Sequence, residues 1–195
     1  SSMQKPGWLG NYSYFRARTS PDKEAIFDLD NNIHYTYREL DRRANILANY
    51  LAEKLGVKKG DRVAFLSRNR MELFDAYYAT GKLGAVLVPY NARLSVDELA
   101  QLVTSEKPCV MFYEDIFAKN IEELKEKVRI NHYVVLAGAA DVADARYETV
   151  MQYGNAASRC CPDLTMDDIH FIIHTGGTTG LPKGGLISHG TMLFN

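Results

Sequence analysis

The residues best equipped for chemistry lie in the segment His170-Phe-Ile-Ile-His-Thr-Gly-Gly-Thr-Thr-Gly-Leu-Pro-Lys-Gly-Gly-Leu-Ile-Ser-His189. An apolar run, residues 171–173, enters a loop, and a second apolar pair, Leu186 and Ile187, leaves it. Between them Gly176, Gly177 and Gly180 let the backbone take positive φ and approach a ligand closely. Successive N–H groups in such a loop can form an anion-binding nest. Thr175, Thr178 and Thr179 add hydroxyl donors, Lys183 adds a compact positive charge, and Leu181 and Pro182 complete and stiffen the exit. The segment is not a Walker A loop, because its lysine follows proline rather than glycine, and it lacks the glycine spacing of the dinucleotide fingerprint. Two readings stay open on these residues alone, a flexible hairpin connection and a phosphate cradle. The threonines and the Pro-Lys-Gly order favour the cradle.

Other reactive side chains read as structural. His170 and His174 are four apart on a strand-like run, which places both on one face, and no carboxylate or cysteine partner is obvious nearby. His189 follows Ser188 where a helix should begin, so capping or loop packing is its expected role. The three cysteines are Cys109 and the adjacent Cys160 and Cys161, the latter two expected as solvent-near loop thiols. Adjacent cysteines do not easily chelate together, and an odd count without framework spacing points to a reducing, cytoplasmic setting. Trp8, Tyr12, Tyr14 and Phe15 are expected to pack the N-terminal segment onto the domain, and Ser1-Ser2 before Met3 to be a vector scar.

The elements that must position the loop alternate between strand and helix. Residues 24–29 and 33–35 flank Asp30-Asn31-Asn32, good hairpin turn chemistry. A helix should start at Thr36 with Glu39 closing a capping box, carry Leu40, Ala44, Leu47, Ala48, Leu51 and Leu55 on its apolar stripe, and stop at Gly56. Residues 62–67 read as a buried strand. Asn69 and Glu72 read as the cap of a helix reaching Leu83, and 85–88 as a strand stopped by Pro89. Ser95 and Glu98 cap a third helix, followed by a strand at 109–113, a charged helix at 116–128 with residues 122–129 on its wet face, and a strand at 132–136. A surface excursion at 137–145, a short helix at 147–153 and a loop at 155–165 lead to the glycine-rich segment. Such alternation predicts an α/β fold, a mainly parallel sheet flanked by helices, ending in a hairpin-like phosphate loop.

Composition narrows the partners. The 195 residues are 46% hydrophobic and 24% charged, and 23 basic against 24 acidic side chains give a net charge of −1. That balance offers no basic footprint for nucleic acid, and no apolar run reaches the roughly 18–20 residues of a transmembrane segment.

Thr175-Gly-Gly-Thr-Thr-Gly-Leu-Pro-Lys-Gly184 resembles the Thr-Ser-Gly-Thr-Thr-Gly-x-Pro-Lys-Gly signature of the adenylate-forming superfamily. Two weaker segments match in order: Tyr35-Thr-Tyr-Arg-Glu-Leu40 resembles the early helix-start motif. Gly81-Lys-Leu-Gly-Ala-Val-Leu-Val-Pro-Tyr-Asn91 with Arg93-Leu94-Ser95 is similar to the acyl-CoA synthetase branch. The resemblance implies a two-step ligase reaction: ATP and a carboxylic acid, fatty or related, give an acyl-adenylate and pyrophosphate. Coenzyme A then displaces AMP. It also implies that the loop from Thr175 to Lys183 holds the β- and γ-phosphates, with Lys183 stabilising pyrophosphate as it leaves. Gly176 stands where serine is common in the family, removing one hydroxyl, and Gly185 where a β-branched residue is usual.

The family's adenine and acyl motifs, its Mg2+-ligating glutamate, ribose-binding aspartate, hinge and terminal lysine are expected beyond this loop. Residues 11–195 are therefore expected to be an N-terminal α/β subdomain, after an arm at 1–10, and to be inactive alone. The alternatives are a non-catalytic nucleotide-binding or interaction module, and an adenylation domain that loads a carrier protein.

Overall fold

The computed structural model describes residues 12–28, 32–68, 70–165, 167–177 and 180–188. Helix α1 (Tyr12–Thr19) and a small antiparallel hairpin, β1 (Glu24–Asp28) with β2 (Ile33–Thr36), precede the main body. There α2 (Tyr37–Glu53), β3 (Arg62–Leu66), α3 (Glu72–Leu83), β4 (Val86–Tyr90), α4 (Val96–Glu106), β5 (Val110–Tyr113), a 3-10 turn (Asp115–Phe117) leading into α5 (Ala118–Lys127), and β6 (His132–Val135) alternate. The two-residue β7 (Ala145–Arg146), α6 (Tyr147–Met151) and the hairpin β8 (Ile169–Gly177) and β9 (Gly180–Ser188) follow. The seven-stranded sheet runs β7-β6-β5-β3-β4-β8-β9, parallel throughout except for β8–β9.

Period-two alternation along the strands feeds two cores. Val63, Phe65, Leu87, Val110, Phe112 and Val134 face Leu47, Leu51, Ala76, Ala79, Tyr147 and Val150 of α2, α3 and α6. Ala64, Leu66, Val88, Met111, Tyr113, Val135 and Ile172 face Leu99, Leu102, Val103, Ile121 and Leu124 of α4 and α5. Helices therefore cover both sides, as parallel strands require. Their ends follow the local chemistry. Ser95 Oγ accepts from Glu98 N (3.1 Å) while Glu98 Oε1 accepts from Ser95 N (3.0 Å), a complete capping box. At α2 Thr36 Oγ1 accepts from Glu39 N at 3.2 Å, one half of the expected box, and Gly56 takes φ +68° just beyond the helix.

Four expectations are corrected. α3 begins at Glu72 with Met71 as its N-cap and no side-chain cap bond; Asn69 lies outside the described residues. Pro89 does not stop β4 but sits inside it. Val86 N–H donates to Asp61 C=O on the β3 side (2.8 Å), so by alternation the Pro89 nitrogen points toward β8, two residues past the Leu87–Phe171 pairing. The charged helix starts at Ala118, preceded by the 3-10 turn. Cys161 is buried rather than solvent-near, its Sγ 3.1 Å from where a Cβ on Gly84 would stand, while Cys160 is exposed. On α5 the wet face is as expected: Glu122, Glu123, Lys125, Glu126 and Lys127 are exposed and Leu124 is buried.

Candidate functional site

The glycine-rich segment occupies the end of the long hairpin. Phe171 on β8 pairs in parallel with Leu87 on β4, so Tyr90, the last residue of β4, is level with His174. From Thr175 onward the hairpin runs past the carboxyl ends of the parallel strands, where α/β sheets bind ligands. Thr175 is paired with Lys183, His174 with Gly184, and Gly177 with Gly180, with a register irregularity between Thr175 and Gly177 that takes in Gly176. Leu181 and Pro182 lie on the β9 backbone, whereas Thr178 and Thr179 lie outside the described residues. The strands continue further into the glycines than the apolar runs at 171–173 and 186–187 suggested. Gly177 opposite Gly180 leaves this end of the ladder without Cβ atoms, so backbone N–H groups there can be approached closely.

The base of the hairpin is held by side chains that sequence reasoning did not pair. The His174 side chain is 2% exposed, its Nε2 lies 2.8 Å from Glu106 Oε1, and its ring stacks on Tyr90 with centroids 5.4 Å apart. A carboxylate only accepts, so His174 Nε2–H is the donor. Burial pushes the Tyr90 phenol well above its ordinary value, and the nearby Glu106 charge adds to the rise. Glu106 is the last residue of α4, which carries no basic side chain in its final turn. A carboxylate at that negative helix end is disfavoured unless a donor meets it. That misplacement was the signal in the sequence that could have flagged it.

His170 packs differently. Its Nε2 lies 2.9 Å from Tyr77 C=O and 3.2 Å from Thr80 Oγ1, and its ring is 4.7 Å from that of Tyr77, all on α3. The two histidines thus do not share a face, because an irregularity in the β8–β9 pairing between Ile169 and Phe171 turns His170 toward α3. Both are engaged within the fold, and His174 does have a carboxylate partner. His189 lies outside the described residues. Trp8 does too, while α1 docks through Ser13, whose hydroxyl donates to Asp41 at 2.8 Å.

At the same edge of the sheet, Arg68 after β3 meets Glu114 after β5, Nη2 to Oε2 at 2.5 Å, and Arg70 pairs with Glu72 at 2.8 Å. The Arg68 hydrogen bond holds the Glu114 carboxyl below its usual value. These arginines are therefore engaged by carboxylates within the domain. Among the described residues no group of three or more His, Cys, Asp or Glu side chains is placed to hold a metal ion. No helix among them is long and apolar enough to cross a membrane.

Comparison with known proteins fits this geometry. The chain is 34% identical over 189 residues to a feruloyl-CoA synthase of Amycolatopsis, covering 96% of this chain and 34% of that protein. It is 32% identical over 187 residues to the long-chain-fatty-acid–CoA ligase FadD13 of Mycobacterium tuberculosis, covering 96% and 35%. Its fold matches a crystal structure of a long-chain-fatty-acid CoA ligase, described as putative, from Rhodopseudomonas palustris with a TM-score of 0.82 at 28% identity, covering 95% of this chain and 45% of the other. The chain thus spans about a third of the length of these curated relatives. Residues 15–195 match the model of the AMP-binding enzymes, and the chain belongs to that family.

Proposed function

We propose that this chain is the N-terminal α/β subdomain, residues 11–195, of an ATP-dependent acid–thiol ligase, and that its part in the reaction is to hold the ATP phosphates at the hairpin. The observation that carries this is the ten-residue signature from Thr175 to Gly184 lying on a hairpin that runs beyond the carboxyl ends of a parallel sheet. In the first step the acid's carboxylate oxygen attacks the α-phosphorus, the bond to the bridging oxygen breaks, and pyrophosphate leaves with an added negative charge. Donors fixed around the β- and γ-phosphates stabilise that charge as it develops. Lys183 supplies a cation opposite Thr175, Thr178 and Thr179 supply hydroxyls, and Gly176, Gly177 and Gly180 keep backbone N–H groups within reach. In the second step the thiolate of coenzyme A attacks the acyl carbon and AMP leaves.

The Mg2+ that accompanies ATP would be ligated by a glutamate that the resemblance puts after residue 195, and no described side-chain cluster fits it, so no step here runs through the metal. A fatty or related acid is the proposed substrate class, supported by the feruloyl and long-chain-fatty-acid groups in the names of two similar proteins. Free thiols at Cys109, Cys160 and Cys161 support a cytoplasmic setting.

The test is an ATP titration of this chain followed through backbone amides. Weak binding, in the millimolar range, should perturb the amides of residues 174–185, and Lys183→Ala should abolish the response. Micromolar binding centred elsewhere would mean that the nucleotide site is misplaced. In the longer ligase, Lys183→Ala should slow acid-dependent ATP–pyrophosphate exchange by about 100-fold. A panel of carboxylic acids in the same assay identifies the substrate.

A further inference from the structure

We propose that His174, clamped between the Glu106 carboxylate and the Tyr90 ring, is a positioning residue that fixes how the phosphate hairpin leaves the sheet. The idea rests on the phosphate reading of the loop, since a fixed direction matters only if the tip must meet a ligand.

His174 is the last hairpin residue level with a neighbouring parallel strand, and the next residue, Thr175, opens the signature. Beyond it the hairpin has β9 at its side and no β4 to lean on, so its direction is set at this point. A buried imidazole with one nitrogen on a carboxylate has little rotational freedom, and stacking on Tyr90 removes most of the remainder. The anchor is itself fixed. The Glu106 backbone carbonyl accepts from Arg62 Nη1 at 2.9 Å, tying the end of α4 to the first residue of β3. Its side chain is 12% exposed, so the contact is poorly screened. The other imidazole nitrogen, Nδ1, is buried with no hydrogen-bond partner among the described residues. A ring kept for packing alone would be better served there by phenylalanine, which carries no orphaned nitrogen. The donor to Glu106 is what histidine adds.

Three variants of this chain separate positioning from bulk packing. His174→Phe keeps the ring and removes the donor, Glu106→Gln weakens the acceptor, and His174→Gln restores an N–H donor without the ring. Amide hydrogen exchange of residues 180–186 is measured without ligand, with amides of β3 and β5 as internal controls, and ATP is then titrated. Loss of one hydrogen bond to a charged group predicts that hairpin exchange accelerates about ten-fold in His174→Phe and Glu106→Gln while the control amides are unchanged. ATP affinity should fall by a similar factor, and His174→Gln should recover part of both. Wild-type exchange and ATP response in His174→Phe would overturn the proposal, as would equal acceleration in the control strands. A wild-type hairpin indifferent to ATP would remove the phosphate reading, and the ligand-free exchange would still decide the clamp.

Discussion

Lys82 offers the sharpest test of the packing. Its side chain is fully buried near the end of α3, with Nζ 2.7 Å from Asp41 Oδ1 on α2. Burial lowers its pKa below the ordinary lysine value, while Asp41 pulls it back up. The two ways of breaking the pair are not equivalent. In Lys82→Met the aliphatic volume is largely kept, and Asp41 retains Ser13 Oγ at 2.8 Å and Asn45 Nδ2 at 3.3 Å. The Asp41 side chain is also 11% exposed, so the cost should sit at the lower end for a broken buried pair, about 3 kcal/mol. In Asp41→Asn the ammonium loses an attraction of about 6 kcal/mol at an effective dielectric of 20. It can escape by giving up its proton. At neutral pH an ordinary lysine would lose about 5 kcal/mol this way, and the already lowered folded value of Lys82 caps the penalty somewhat below that.

Asp41→Asn should therefore be the more damaging change at pH 7, at about 4 kcal/mol. Its cost should also fall as pH rises. The folded pKa of Lys82 is below the unfolded one, so between the two the unfolded chain binds the extra proton and stability increases with pH. Removing Asp41 takes away a contribution that raised the folded value, so the variant enters that window at lower pH than wild type. Within it the variant should gain on wild type by up to about 1.4 kcal/mol per pH unit. Equilibrium urea unfolding of the three proteins at pH 7 and pH 9.5 measures this directly. The reasoning is refuted if Asp41→Asn is no worse than Lys82→Met at pH 7, or if the difference between Asp41→Asn and wild type does not narrow at pH 9.5.

Two further changes probe the supports around the sheet. Gly84 caps α3 with φ +69°, and a Cβ there would meet Lys59 Cγ at 3.0 Å and Cys161 Sγ at 3.1 Å. Gly84→Ala should thus cost about 2–4 kcal/mol, left-handed strain plus overpacking, with part returned by adding Cys161→Ala; a loss under 1 kcal/mol in urea melts would show the contact to be soft. Glu114, with its pKa held down by the Arg68 hydrogen bond, should contribute stability above its unfolded value near 4.5 and lose it as pH falls through the lower folded value. Glu114→Gln should be less stable than wild type by about 1 kcal/mol at pH 7, because Arg68 is 64% exposed, and the gap should close as pH falls through the folded value; a gap independent of pH in acid melts would contradict this.

What could be read from the sequence was what the chain writes within a few residues. Ser95 and Glu98 announced α4 because both halves of a capping box lie in one turn. The signature from Thr175 to Gly184 announced the family for the same reason, as an ordered set of adjacent residues. The failures share the opposite property. Lys82 lies in a segment quoted for its family likeness, yet its burial depends on Asp41, 41 positions away. Pro89 looked like a stop because a strand interior normally needs its N–H, and only the bond from Val86 N–H to Asp61 on the β3 side shows that its nitrogen faces the other way, toward β8. His170 and His174 looked like one face until a bulge in a pairing with β9 turned one of them away.

The candidate site straddles that divide. Its donors are local and were legible, while the clamp beneath them joins His174 to a glutamate 68 residues earlier. That pairing exists because the sheet order β5-β3-β4-β8 sets the start of the hairpin within reach of the end of α4, the helix that crosses from β4 to β5. A loop motif read without its sheet therefore tells which atoms are proposed to meet phosphate, and the strand order decides where they are aimed. Swapping residues within the motif should change affinity through the donors themselves. Changing Glu106 should change it with every donor still present, which is the signature that separates aim from chemistry.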